Sequence, residues 1–201
     1  LALIRVICFN FAKTFRALKL FMILIGCKPE GRHTEQHDVF FGIAAAIKDL
    51  IPQMLEFWPE AGKLHVDGWR EVRNVDGFLV RVEPATTLEL SPDTHKLFFL
   101  NLGGYKEHEF EEYHYKMLAA ATDKGIAVQK ARQTAFYKHT GFTGATSHID
   151  DKYGVDVDDI YAIEDILPAA VKQQYRITLM SPSEPIENDV IHLGYFKLGS
   201  L

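Results

Sequence analysis

The chain has 201 residues, 47% of them hydrophobic, with a formal charge of −5 at pH 7. That is apolar material for one large domain or two small ones, and the acidic balance excludes the broad basic face of a general nucleic-acid binder. Two cysteines, Cys8 and Cys27, cannot build a disulfide framework, so a reducing, cytoplasmic setting is expected.

Residues 1–17, LALIRVICFNFAKTFRA, are apolar with scattered Arg5, Lys13 and Arg16. The run is too short to span a bilayer and shows no small-residue cleavage site. It reads as a non-native or upstream extension or a fragment end, with the domain starting near Leu18 and no membrane association. Leu20 to Ile25 is a continuous apolar run closed by Gly26, which suits a strand buried on both faces. A Pro29-Glu30-Gly31 turn follows. Phe40, Ile43, Ile47 and Leu50 then recur at helical spacing, which predicts a helix from Val39 with Asp38 near its positive start. Pro52 breaks that helix and opens a short second one before Pro59. In Lys63 to Trp69, Leu64 and Val66 alternate with His65 and Asp67, which puts the two polar side chains on one face of a strand. Asn74-Val75-Asp76-Gly77 is a hairpin turn and Phe78 to Val82 the returning strand. A further short strand is expected at Thr87 to Leu90.

The second half opens on the strand Leu97 to Leu102 and a predicted helix from Glu109 to Thr122. Ile126 to Lys138 predicts a longer helix, and the loop His139 to Ser147 follows. Asp156 to Asp159 look like helix-starting residues for Ile160 to Leu167, which Pro168 helps to end. Tyr175 to Met180 and Val190 to Leu198 supply two closing strands.

A constant shift of 77 positions relates the two halves. It superposes Lys19 on Lys96, Leu20 on Leu97, Phe21 on Phe98, Gly26 on Gly103, Glu30 on Glu107, Glu35 on Glu112, His37 on His114 and Ala44 on Ala121. Ordinary composition yields roughly one or two such identities in a window of this length, so the pattern reads as an internal duplication. His148-Ile149-Asp150 echoes His65-Val66-Asp67 further on. The expected fold is α+β: two divergent βαββ repeats, residues 18–92 and 95–201, forming mixed sheet or sheets covered by helices and related by a pseudo-two-fold. Joining in one continuous sheet and packing face to face are both compatible with the pattern.

The residues are compatible with three chemistries. Gly26 to Gly31 has the Gly-x-x-x-x-Gly spacing of a phosphate loop, but Arg32 and His33 stand where Lys and Ser/Thr belong. A helix N-terminus binding a smaller anion with Arg32 is the reduced form of that idea. For metal, His33 and His37 would share a helix face with Glu35 close by, but only His37 recurs in the second half. A site built twice uses Glu35, His37, His65 and Asp67, then Glu112, His114, His148 and Asp150, all ligand types suited to zinc or another divalent ion. The same groups suit proton transfer, although Ser147 lacks a nucleophile elbow and Cys27, with Gly104 at its shifted position, reads as a packed thiol. The bland alternative is that His37 and His65 hydrogen-bond between neighbouring elements and lock each repeat together. The run Asp150, Asp151, Asp156, Asp158 and Asp159 lacks EF-hand spacing.

The stretches KLFMILIGCKPEGRHTEQHDVFFGI, WPEAGKLHVDGWREVRNVDGF and KHTGFTGATSHIDDKYGVDVDDIY resemble a bacterial family described as domain of unknown function 1543. The resemblance runs from Leu18 to the C-terminus, implies one or two copies of the domain per chain, and brings no substrate, cofactor or catalytic residue. The expected function is therefore a non-catalytic ligand-binding or assembly module, with an unknown small ligand or protein partner and a homo-oligomer compatible with it. The competing expectation is a metal- or anion-dependent enzyme using the His/Asp/Glu set. The sequence names no cofactor for either.

Overall fold

The computed structural model describes residues 17–86, 94–139, 148–149 and 160–201. Residues 1–16 of the expected extension, the strand at 87–90, residues 140–147 of the expected loop and the acidic run at 150–159 lie outside the described residues.

Strand β1 (Lys19–Cys27) turns back on β2 (Gln36–Ala44). A 3₁₀ turn and the short helix α1 (Ile51–Phe57), with Pro52 in its first turn, lead to β3 (His65–Glu71). β4 (Asn74–Val75) and β5 (Phe78–Pro84) form a hairpin whose central residues Asp76 and Gly77 have φ of 54° and 84°. Positive φ at both positions is what a tight two-residue turn demands. The second half repeats the opening with β6 (Lys96–Tyr105) and β7 (Glu112–Ala121), followed by α2 (Lys124–Arg132) and α3 (Ala135–His139). Asp123 caps α2, its carboxylate accepting the Ile126 N–H at 3.0 Å. Then come β8 (His148–Ile149), β9 (Ile160–Ala162), α4 (Ile163–Ile166), α5 (Ala169–Gln174), β10 (Tyr175–Met180) and β11 (His192–Lys197).

Among the described residues three sheets form, in the orders β11-β3-β1-β2, β10-β5-β4 and β7-β6-β8, with β9 also on β6. The class is α+β as expected. Every strand pair described is antiparallel, so the expected mixed sheet is replaced by antiparallel ones.

The largest correction concerns the helices read at 39–50 and 109–122, which are mainly the strands β2 and β7. Val39 to Ala44 are all buried, so the block faces apolar neighbours on both sides. A strand covered on both faces shows a continuous run, and the helical spacing picked out of that run carried no independent information. Ile160 to Ala162, expected to begin a helix, instead pairs with Phe98 to Leu100 of β6 before the chain turns helical at Ile163.

The β1–β2 and β6–β7 sheets pack face to face. Between them lies a core of Leu20, Phe41 and Ile43 against Leu97, Phe99 and Leu118, with the Phe41 and Phe99 rings edge-on at 5.3 Å. Each sheet buries its other face under its own helical segment. Ile23, Ile25 and Val66 pack with Leu50 and Met54, and Leu100, Leu102 and Ala119 with Ala127 and Ala131.

Candidate functional site

β1 is the centre of its sheet, and its last turn-facing residues place the site. Gly26 pairs with His37 of β2 on one side and with His65 of β3 on the other. The three therefore lie in one row across the sheet, a glycine between two histidines. β3 slips register between Leu24 and Ile25 of its partner, so that Asp67 is the extra residue of a bulge. A bulge re-aims side chains locally, and here it brings Asp67 beside His65 and His37.

The contacts are close. His65 Nε2 stands 2.9 Å from Glu35 Oε1 and 3.3 Å from Asp67 Oδ2. His37 Nε2 stands 3.2 Å from the same Asp67 oxygen and 3.8 Å from Glu35 Oε2. Two imidazoles and two carboxylates thus converge above Gly26. A Cβ at that position would come 2.4 Å from Asp67 Oδ2 and 2.6 Å from His65 Nε2, so the missing side chain is what makes room for the cluster.

The side chains of His65, Asp67, His37 and Glu35 are 5%, 24%, 40% and 45% exposed, so the cluster has a buried floor and an open mouth on the β2 side. His65 Nε2 and Asp67 Oδ2 are both buried without an aligned hydrogen-bond partner. Their neighbours are near but off the hydrogen-bonding direction, an arrangement that invites a further group, since buried polar atoms are ordinarily satisfied. Tyr195 covers the His65 ring, with centroids 4.4 Å apart. No three His, Cys, Asp or Glu side chains among the described residues stand in the geometry of an assembled metal centre. Cys27, adjacent in β1 and so on the opposite face, is a buried free thiol. Burial, and then the Glu35 charge, push its pKa up.

The other candidates fare differently. Arg32 lies exposed in the connection from β1 to β2, its N–H donating to the Pro29 carbonyl at 3.3 Å. That connection leads into a strand, so the helix N-terminus expected to bind an anion there is absent. His33, expected to share a helix face with His37, is exposed in the same loop. In the second half Gly103 pairs with His114 and with His148, the same cross-strand row as in the first. β6 and β7 keep the β1–β2 register under the shift of 77, from Lys96 opposite Ala121 to Gly103 opposite His114. Glu112 is engaged by Tyr105, whose hydroxyl donates to Oε1 at 2.6 Å. Asp150 is outside the described residues.

Sequence reasoning placed Gly26 in a candidate phosphate loop rather than under the histidines, and did not single out Tyr195. Gly26 carried a usable signal, because it is one of the identities under the 77-residue shift. Tyr195 carried none; its place depends on how β11 docks.

The fold and site together define an antiparallel α+β protein with a His/carboxylate cluster on a glycine floor. Residues 32–82 match the family described as Domain of Unknown Function (DUF1543), a segment containing Glu35, His37, His65 and Asp67. No curated protein matches the chain. The crystal structure of protein Il1583 from Idiomarina loihiensis is similar, with a TM-score of 0.50 and 22% identity over 90% of this chain and 98% of that one. That likeness is one of fold alone. No helix among the described residues is long and apolar enough to cross a membrane.

Proposed function

We propose that the protein is a small-ligand-binding protein whose primary ligand is a divalent cation held by Glu35, His37, His65 and Asp67. The observation that carries this reading is the convergence above Gly26 of His65 Nε2 and Asp67 Oδ2, both buried without an aligned hydrogen bond. Donors about 2.0–2.1 Å from a tetrahedral ion stand roughly 3.3 Å from one another. Asp67 Oδ2 is already 3.2 and 3.3 Å from the two imidazole nitrogens. The Glu35 contact at 2.9 Å is short by that standard, and opening it asks only that a half-exposed, flexible carboxylate move. Imidazole and carboxylate without thiolate suit zinc and its first-row neighbours.

The same reading takes the chain as a tandem arrangement, residues 18–92 and 95–201, from an ancestral unit of a bacterial, cytoplasmic family. Glu112, His114, His148 and Asp150 are the corresponding set. The shared register of the two hairpins and the two His–Gly–His rows support it.

Tag-free protein reconstituted with zinc and dialysed should retain the equivalent held by the cluster, and His37→Ala and His65→Ala should each release about one equivalent per chain, measured by elemental analysis. Zinc absent from the reconstituted wild type, or undiminished in His65→Ala, would overturn the reading and leave acid–base contact as the cluster's content.

A further inference from the structure

A cavity of about 500 Å³ lies between the first sheet and β7, within the size range of small-molecule sites. Its walls include Met22, Leu24 and Leu193, with Arg70 and Lys116 as cations and Asp76 as an anion among them; the Trp69 ring lies on the other face of the sheet, against Phe21 and His192. Met22 and Leu24 share a face of β1 with Gly26, so the cavity begins two residues from the cluster. Arg70 pairs with Met22 across the sheet, four residues along β1 from Gly26, a backbone distance of roughly 13 Å.

Arg70 is the unusual residue of this cavity. Its side chain is 22% exposed, with Nη1 4.0 Å from Asp189 Oδ2, beyond hydrogen-bond reach. Nη2 donates to the Met22 sulfur at 3.6 Å. A guanidinium offers five N–H donors, of which the thioether and the carboxylate at 4.0 Å use few, and its partly exposed head opens on the cavity. Asp189 Oδ1 accepts the Arg73 and Asn74 N–H groups at 3.1 and 3.0 Å, while its Oδ2, the oxygen nearer Arg70, is buried without a hydrogen-bond partner. Burial pulls the Arg70 pKa down, which is the cost an incoming anion would offset.

We infer that this cavity binds a small monocarboxylate with an apolar body, its carboxylate on Arg70 and its aliphatic or aromatic part against Met22, Leu24 and Leu193. A planar carboxylate matches the guanidinium fork in two parallel hydrogen bonds. The mainly apolar wall excludes a multiply charged phosphate, whose remaining charge would lie against hydrocarbon. The site goes beyond the cation reading and stands without it.

Octanoate and octanamide, equal in chain and different in charge, are the probes, titrated into the whole chain and followed by isothermal titration calorimetry. Octanoate should bind wild type at least about tenfold more tightly than octanamide, and Arg70→Gln should remove that preference while leaving octanamide unchanged. Leu193→Trp, at an exposed position on the cavity wall, should weaken both. Equal affinity for the two probes in wild type, an unchanged preference in Arg70→Gln, or unchanged binding in Leu193→Trp would each overturn the inference. His65→Ala should keep octanoate binding, so a protein that holds octanoate but no zinc separates this inference from the cation reading.

Discussion

The Gly26 Cα stands beneath two carboxylate and imidazole atoms that a methyl group would strike. Gly26→Ala should therefore lower zinc affinity at least about tenfold, because second-shell and packing support of metal ligands commonly carries effects of that size. The displaced atoms are the ends of side chains rather than backbone, so the variant should still fold; calorimetric zinc titration and a circular-dichroism melt measure the two effects apart. Gly31 is a contrasting case. Its φ of 76° needs glycine for the turn, and nothing lies within 4 Å of where its Cβ would be. The residue types of the site were legible in the sequence, since Glu35, His37, His65 and Asp67 stood out by chemistry and by echo in the second half. Their meeting was not legible. It depends on β2 being a strand, which places His37 opposite Gly26 and leaves His33 in the loop.

At the scale of elements, β11 is an edge strand with a device of its own. It pairs with β3 at His192–Leu193 and again at Phe196–Lys197, with Gly194 and Tyr195 as the irregularity between. Gly194 has a φ of 144°, which L side chains rarely adopt, while its Cβ would make only ordinary contacts from 3.6 Å. The cost of Gly194→Ala is thus backbone strain, and urea denaturation should show a loss of about 1–3 kcal/mol. The bulge is what carries Tyr195 onto the His65 ring. Strand β10 was placed correctly from its own residues, and β11 within two residues of its ends. β2 and β7 were not, because a fully buried strand and a buried helix share the same unbroken apolar run.

The whole molecule is tied together by carboxylates that reach between distant segments. Asp76, in the β4–β5 turn, accepts the Ala120 N–H at 3.1 Å and the Lys130 ammonium at 2.7 Å, joining the first half to the second. Asp189 ties the C-terminal segment to Arg73 and Asn74, and its side chain is only 1% exposed. Asp189→Ala leaves two backbone donors unpaired and should cost about 1–3 kcal/mol by denaturant titration. Burial raises the Asp189 pKa in the folded chain, against the backbone N–H groups and the Arg70 and Arg73 charges that lower it. Its ionised form is therefore the costly one when folded. That cost is present above the raised value and relieved as pH falls through it toward the ordinary carboxylate value of about 3.9. Wild type should accordingly gain stability relative to Asp189→Asn as pH is lowered from neutral across this interval. A parallel pair of stability–pH curves would contradict the assignment.

The amino-acid sequence alone determined the α+β class, the β1 and β6 strands, the β4–β5 hairpin and the ligand-type residues, because each rests on local pattern or on side-chain chemistry. Only the tertiary structure decided that the two sheets pack face to face, that β2 and β7 are strands, and that two histidines and two carboxylates share one glycine floor. Those outcomes depend on which buried faces find each other and in what register. A single chain of residues carries no signal of register until its partner strand is in place.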